Sequence, residues 1–107
     1  MTDTLVGSSL GEELTPLRGE LDEIEAVLIP AAIDRFLKAR EIGQVKQRHG
    51  AEVIDPEREK VVIAKYAEAF ARRGLPAELG VKFGTAIVTI GQDIQFLDMD
   101  ADITSGV

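Results

Sequence analysis

A long run of regularly spaced apolar residues is the feature that most constrains how this 107-residue chain can fold. Between Thr15 and His49, apolar residues recur at intervals of three, four and seven positions in a background of Glu, Arg and Lys, which predicts an amphipathic helix. Thr15-Pro16 fits the start of such a helix, and Gly50 fits its end. The residues of the apolar stripe are Leu17, Leu21, Ile24, Leu28, Ala32, Ala39 and Ile42.

Pro30 lies in the middle of this pattern. An interior proline removes one backbone hydrogen bond and clashes with the preceding turn, at a cost of about 3 kcal/mol. The helix is therefore either kinked at Pro30 or split into two. The apolar pattern resumes in the same phase after Pro30, which favours one kinked helix.

The predicted helix is too long for a chain of this size to cover by itself. About 34 residues at ~1.5 Å each make a rod of ~50 Å. A domain of about 100 residues has a radius of gyration of only ~13 Å. Two shorter helices of the same chain cannot cover the apolar stripe of such a rod, so we expect a second copy of the chain to cover it.

The remaining sequence predicts two more helices. Asp55-Pro56-Glu57 combines a cap, a first-turn proline and an acidic residue at the positive end of the helix dipole, and Arg72-Arg73-Gly74 fits the end of the same helix. From Pro76 to about Leu97 the pattern is divided, because three glycines weaken a helix and the segment 86–90 would suit a strand. A lone strand would have no partner elsewhere in the chain, so the context favours a helix.

These patterns predict an all-α fold with three helices in a single domain, residues 1–107. The polar segment 1–12 and the acidic segment 98–107 are expected to be loose at the two ends.

Composition excludes several classes of function. The formal charge of −7, from 19 acidic and 12 basic residues, disfavours a nucleic-acid or anionic-membrane partner. The chain has no cysteine and one histidine, His49, so we expect no disulfide, no metal site and no bound cofactor. The first residues lack the pattern of a signal peptide, and no run approaches the ~20 apolar residues of a membrane span, so we expect a cytoplasmic protein. Any anion site must then be a local cluster of cations, which favours a small-molecule ligand.

Two cations share the apolar face of the first helix. Arg35, Ala39, Ile42 and Lys46 fall on one stripe of a helical wheel, and Arg35 and Lys46 are about 20° apart on it. The ordinary interpretation of such a pair is that both side chains extend to solvent from the rim of the core. Arg18 lies about 260° around the helix and ~25 Å along it from Arg35, so it could serve only the pocket of a second subunit.

Further candidates lie on the other two predicted helices. Taken singly, they are a cap, surface charges, a surface amide and residues of an apolar face. They are Asp55, Arg58, Glu59 and Val62 in the first turns of the second helix, and Val88, Gly91 and Gln95 on one face of the third.

Several short motifs occur in a fixed order along the chain. They are Leu17-Arg18 with Leu21-Asp22-Glu23-Ile24, Asp34-Arg35, Ile42-Gly43-Gln44-Val45-Lys46, Asp55-Pro56-Glu57-Arg58-Glu59, Gly74-Leu75 and Gln95. From Leu14 to Gln95 their order and spacing resemble the AroQ-class chorismate mutases. The Ile-Gly-x-x-Lys and Asp-x-x-Arg-Glu elements are the most specific part of the match.

The resemblance implies an intertwined homodimer of three-helix subunits, with two equivalent sites between the long first helices. It implies the intramolecular rearrangement of chorismate to prephenate, in aromatic amino-acid synthesis or a secondary pathway. By position, Arg35, Arg58 and the partner's Arg18 would hold the two substrate carboxylates, since guanidinium groups suit bidentate pairing. Lys46 and Gln95 would donate to the ether oxygen of the breaking bond.

The resemblance also assigns residues to the substrate ring. Glu59 and the backbone of Asp55 would bind the ring hydroxyl. The apolar walls would be Ile42, Val62 and Val88.

The chain departs from the family pattern at two positions. The family usually has Ser where this chain has Gly91, which removes one contact to a substrate carboxylate, and Pro30 interrupts a helix that is normally straight. Two alternatives therefore stay open beside chorismate mutase. One is a related reaction on the same scaffold, that of a 4-amino-4-deoxychorismate mutase or an isochorismate pyruvate lyase, although the intact Arg58-Glu59 pair suits a ring hydroxyl. The other is a non-catalytic helical binding module.

Overall fold

The computed structural model describes residues 9–105, with side chains described as far as Asp98. Three helices follow one another: α1 Leu10–Arg48, α2 Pro56–Arg72 and α3 Ala77–Ser105. The described part of the chain contains no strand, so the predicted all-α, three-helix fold is confirmed. The outermost parts of the segments expected to be loose, residues 1–8 and 106–107, lie outside the described residues.

Helix α1 begins earlier than the sequence predicted. Ser9 and Glu12 form a reciprocal capping box: the Glu12 backbone N–H donates to Ser9 Oγ at 3.2 Å, and the Ser9 backbone N–H donates to the Glu12 carboxylate at 3.1 Å. The backbone donor of Ser9 lowers the pKa of Glu12. The predicted start at Thr15-Pro16 was therefore wrong, and Thr15 instead donates its hydroxyl to the carbonyl of Gly11 at 2.7 Å.

Helix α1 continues through Pro30 without a break. The preference for one helix over two is confirmed. The contacts nevertheless group the described residues into two units, one ending at Asp34 and the other beginning at Arg35. A single domain over residues 1–107 stays a prediction.

The first unit is the N-terminal part of α1, and its apolar stripe is exposed. The exposed fraction is 59% for Leu17, 54% for Leu21, 59% for Ile24 and 48% for Leu28. A contiguous apolar surface of this kind is typical of a protein interface.

The second unit contains the end of α1 together with α2 and α3. Its buried apolar residues are Ala39, Val53, Val62 and Ile87, from all three helices and the loop that precedes α2. Helix α2 begins as predicted, because the Asp55 carboxylate accepts from the backbone N–H of Arg58 at 3.2 Å. The turn to α3 contains Gly74 at φ 82°, a left-handed conformation that glycine adopts without strain.

Two glycines explain why the third segment forms a helix although its sequence pattern was divided between helix and strand. A Cβ built on Gly80 would lie 2.6 Å from the Tyr66 carbonyl oxygen and 2.7 Å from Ala67 Cα, and one on Gly84 would lie 3.2 Å from Ile63 Cα. These glycines weaken the helix locally, but they let α3 approach the backbone of α2. Packing with α2 therefore outweighs the strand-like local sequence.

Aromatic rings reinforce the packing of α2 against α3. The rings of Tyr66 and Phe83 meet edge to face with centroids 5.3 Å apart, and Phe70 lies 6.0 Å from Phe83. Aromatic pairs in such arrangements contribute about 0.5–1.5 kcal/mol beyond the burial of their surface.

Asp98 links α3 to α1. Its carboxylate accepts two hydrogen bonds from Arg40 Nε and one from Arg40 Nη2, and one more from Gln44 Nε2 at 2.9 Å. These donors, Arg40 first, lower the pKa of Asp98, and the carboxylate raises the pKa of Arg40. The third helix was predicted to end near Leu97, but α3 is helical as far as Ser105. The hydrogen bonds of Asp98 with Arg40 and Gln44 hold α3 to α1 next to the predicted end of the helix.

We expect Gly80→Ala to lower the free energy of unfolding by about 1–3 kcal/mol, because the added methyl group meets backbone atoms that cannot move aside cheaply. The matched control is Gly19→Ala, since Gly19 is also inside a helix but a Cβ there has no heavy atom within 4 Å. That control should raise stability by up to ~1 kcal/mol through helix propensity. Urea unfolding measures both, and equal stability of Gly80→Ala and the wild type would contradict the close packing.

The Arg40–Asp98 pair predicts a pH dependence of stability. A carboxyl with a lowered pKa in the folded state stabilises the protein above its unfolded value, near 3.8, and that stabilisation is lost as the pH falls through the folded value. We expect Asp98→Asn to be less stable than the wild type at a pH of about 7, and the difference to shrink below about pH 4. Urea unfolding over a pH series measures this difference, with Asp93→Asn as the control at an exposed carboxyl of the same helix. A difference that is constant with pH would contradict the ion pair.

Candidate active site

A cavity of about 290 Å³ lies in the second unit, between α1, the loop that precedes α2, and helices α2 and α3. Ligand pockets of proteins have volumes from about this size upward. All but one of the predicted site residues line it. They are Arg35, Ile42, Lys46, Asp55, Arg58, Glu59, Val62, Val88, Gly91 and Gln95.

Arg18 is the predicted site residue that does not line this cavity. It lies on α1 in the first unit, where its side chain is exposed.

Four other residues line the cavity wall. Ala39 was placed on the stripe with Arg35 but not predicted as a site residue, and the sequence reasoning missed Lys38, Val53 and Gln92. Helical spacing could have identified Gln92, which follows Val88 by four residues and precedes Gln95 by three. Val53 lies in a loop, where no periodic pattern applies.

The cavity wall is positively charged although the chain is acidic. It carries Arg35, Lys38, Lys46 and Arg58 against the carboxylates of Asp55 and Glu59, while the whole chain has a formal charge of −7. Asp55 is already engaged as the cap of α2. The local excess of cations therefore favours an anion, since oppositely charged groups attract more strongly where water is partly excluded.

The guanidinium groups of Arg35 and Arg58 have no ion pair or side-chain hydrogen bond among the residues that the structure describes. A Cβ built on Gly91 would lie 3.8 Å from Arg35 Nη1 and 3.9 Å from Ala39 Cβ, both ordinary contact distances. A guanidinium group presents two parallel N–H donors to a carboxylate. The two arginines can therefore each accept a carboxylate without first breaking a bond within the protein.

Lys46 is fixed in the wall by the loop before α2. Its Nζ donates to the carbonyl oxygen of Val53 at 2.7 Å, and Val53 itself is buried. An ammonium group carries three N–H donors, so this bond leaves two for a ligand.

Gln95 is held against α1 by a close approach of α3 to Gly43. A Cβ built on Gly43 would lie 2.9 Å from Gln95 Cβ and 3.0 Å from Gln95 Cα. The Oε1 atom of Gln95 is buried and has no hydrogen-bond partner among the described residues. A buried polar atom without a partner costs about 1–3 kcal/mol, which a ligand can offset. A half-turn of the terminal amide would present its NH2 group, a donor, at the same place.

Glu59 and Gln92 form a pair across the cavity wall. Gln92 Nε2 donates to Glu59 Oε2 at 2.6 Å, and both side chains are half-buried. The pair joins α2 to α3 beside the apolar residues Val62 and Val88.

The arrangement suits a small anion with carboxylate groups and further oxygen atoms. Cationic and amide donors surround one space, and apolar side chains complete the wall. Donors fixed in advance around one point can stabilise negative charge that develops during a reaction.

The chain is similar to one protein family and to curated proteins. The family model described as chorismate mutase type II matches residues 17–95. The T-protein of Enterobacter agglomerans is 33% identical over 67 residues, which cover 63% of this chain and 18% of that protein. The chorismate mutase of Methanocaldococcus jannaschii is 23% identical over 84 residues, which cover 78% of this chain and 85% of that protein. No solved structure matches the chain.

The chain thus corresponds to less than a fifth of the length of the T-protein but to most of the archaeal protein. The structure contains no helix, within its described part, that is both long and apolar enough to span a bilayer.

Proposed function

The chain belongs to the chorismate mutase type II family, and from this membership we propose that it catalyses the rearrangement of chorismate to prephenate. The reaction moves atoms within one molecule, so it requires no nucleophile of the protein. The enzyme must select the compact conformer of the substrate and stabilise negative charge on the ether oxygen as its bond breaks. A cytoplasmic location is part of the proposal and rests on the sequence.

One cavity is lined by two unpaired guanidinium groups, an ammonium group and an amide with a buried oxygen, and this arrangement supports the proposal. We assign Arg35 and Arg58 to the substrate carboxylates. Both are free to form bidentate pairs, whose geometry would also orient the substrate.

Lys46 and Gln95 are assigned to the ether oxygen. Lys46 keeps two N–H donors after its bond to Val53, and the bond fixes the position of its ammonium group. The amide of Gln95 is buried and, once turned, offers its NH2 group. The ammonium of Lys46 is in place before the substrate binds. Gln95 needs only the turn of its terminal amide, so little further reorganisation is required as charge develops on the oxygen.

The ring would lie against the apolar part of the wall. Ile42, Val62 and Val88 would contact its faces, and Glu59 with the Asp55 backbone would bind its hydroxyl. At Gly91 the family's usual hydroxyl is missing, which removes one contact to a carboxylate but leaves room beside Arg35.

The proposal includes a homodimer. The exposed apolar stripe of the first unit, Leu17 to Leu28, requires a cover, and a second copy of the chain supplies a matching stripe. In such a dimer the partner's Arg18 would add a third guanidinium group to the cavity, beside those of Arg35 and Arg58. Two carboxylates on the substrate would then face three guanidinium groups.

The test is an assay of the purified protein with chorismate, following the formation of prephenate. We expect Lys46→Ala to raise the barrier by about 3 kcal/mol, which is roughly 100-fold in kcat. Arg35→Ala should lower kcat/KM by a similar factor because one carboxylate loses its guanidinium partner. The control is Lys60→Ala, whose ammonium is 75% exposed, pairs with Glu57 and lies outside the cavity wall.

The other substrates decide between the alternatives. A wild-type protein inert towards chorismate but active on its 4-amino-4-deoxy analogue or on isochorismate would replace the proposal with a related reaction. Inertness towards all three compounds in a folded protein would favour a helical binding module.

A further inference from the structure

Gln92 has a contact that the proposed chemistry does not use. It lies on α3 within the cavity wall, between the residues assigned to the ring wall and to the ether oxygen. Its Nε2 donates to Glu59 Oε2 at 2.6 Å, a short hydrogen bond between residues 33 positions apart in the sequence. None of the motifs that predicted the site includes this residue.

The chemistry of the pair fixes the orientation of the amide. An ionised carboxylate only accepts hydrogen bonds, so Gln92 must turn its NH2 group towards Glu59. Hydrogen bonds to a charged acceptor are stronger than those between neutral groups. The contact therefore restricts both side chains, and it leaves the second carboxylate oxygen of Glu59 and one N–H of Gln92 for other partners.

Packing alone does not explain why position 92 carries an amide. A half-buried helical position beside Val88 would be filled most simply by an apolar side chain, since a polar group there must lose water. An amide is favoured at this place only if it has a partner, and Glu59 is that partner.

We infer that Gln92 is a positioning residue, which holds Glu59 in place to accept a hydrogen bond from the substrate's ring hydroxyl and so sets the preference for a hydroxyl-bearing ring. The inference rests on the proposed function. The hydroxyl donates to the open oxygen of Glu59, whose position the Gln92 hydrogen bond fixes.

The test uses Gln92→Met, because methionine keeps the length and helix propensity of glutamine and removes the amide. Steady-state kinetics are measured with chorismate and with an analogue that lacks only the ring hydroxyl. We expect Gln92→Met to lower kcat/KM for chorismate about tenfold, the effect of one lost charge-assisted hydrogen bond. For the analogue the change should stay within about twofold, because no hydroxyl is present to be positioned.

A second comparison shows whether Gln92 acts through Glu59. In a Glu59→Ala background, Gln92→Met should cause no further loss with chorismate, since residues that act as a unit are not additive. The control for substitution on the same helix is Thr89→Val, an exposed position outside the cavity wall. It should leave both substrates unaffected.

Each result decides the matter. An equal loss on both substrates would identify the contact as a structural link between α2 and α3 and would overturn the inference, while the proposed function would stand. If Gln92→Met does not fold, Gln92→Leu is measured in its place, and failure of both to fold also means a structural link. The wild-type protein is assayed before any variant is made. If it does not convert chorismate, both the proposed function and this inference are overturned.

Discussion

The candidate site depends on the close approach of α3 to α1 at Gly43. The glycine leaves no room for a side chain between the two helices, so the backbone of Gln95 lies directly against α1. This contact brings an amide from α3 to the helix that carries Arg35 and Lys46, and it buries the amide oxygen without a partner. An alanine at position 43 would place its methyl group 2.9 Å from Gln95 Cβ, so the site and the packing of the helices share one constraint.

The cavity wall differs in charge from the rest of the chain. The chain as a whole is acidic, yet the cavity wall carries more cations than carboxylates. Two of the cations have no partner within the described part of the chain, and a third is held by a loop carbonyl with donors to spare. The fourth, Lys38, is paired with Glu41 at 2.8 Å. An anionic ligand would complement the charge of the other three. The membership of the chain in the chorismate mutase type II family agrees with a mechanism in which fixed donors, rather than a covalent step, supply the catalysis.

Local chemistry decided which parts of the molecule could be predicted from the sequence. The start of α2 was predicted because Asp55 and Pro56 act within one turn, whereas the Ser9–Glu12 capping box carries the same kind of signal and was overlooked. Helix α3 was predicted only by excluding a lone strand, because Gly80 and Gly84 are explained by the nearness of α2, which no local pattern contains. The link between Gln92 and Glu59 is tertiary in the same way.

We propose that Arg18 of a second copy of the chain completes each site, and subunit complementation tests this sharing of residues. Arg18→Ala and Arg35→Ala proteins are unfolded and refolded together, and the activity is compared with that of each variant refolded alone. In a mixed dimer one site would combine the intact Arg35 of one chain with the intact Arg18 of the other. Half of the dimers would be mixed, each with one of two sites intact, so the mixture should recover about one quarter of wild-type activity. No recovery on mixing, with both variants folded and dimeric, would contradict the shared site.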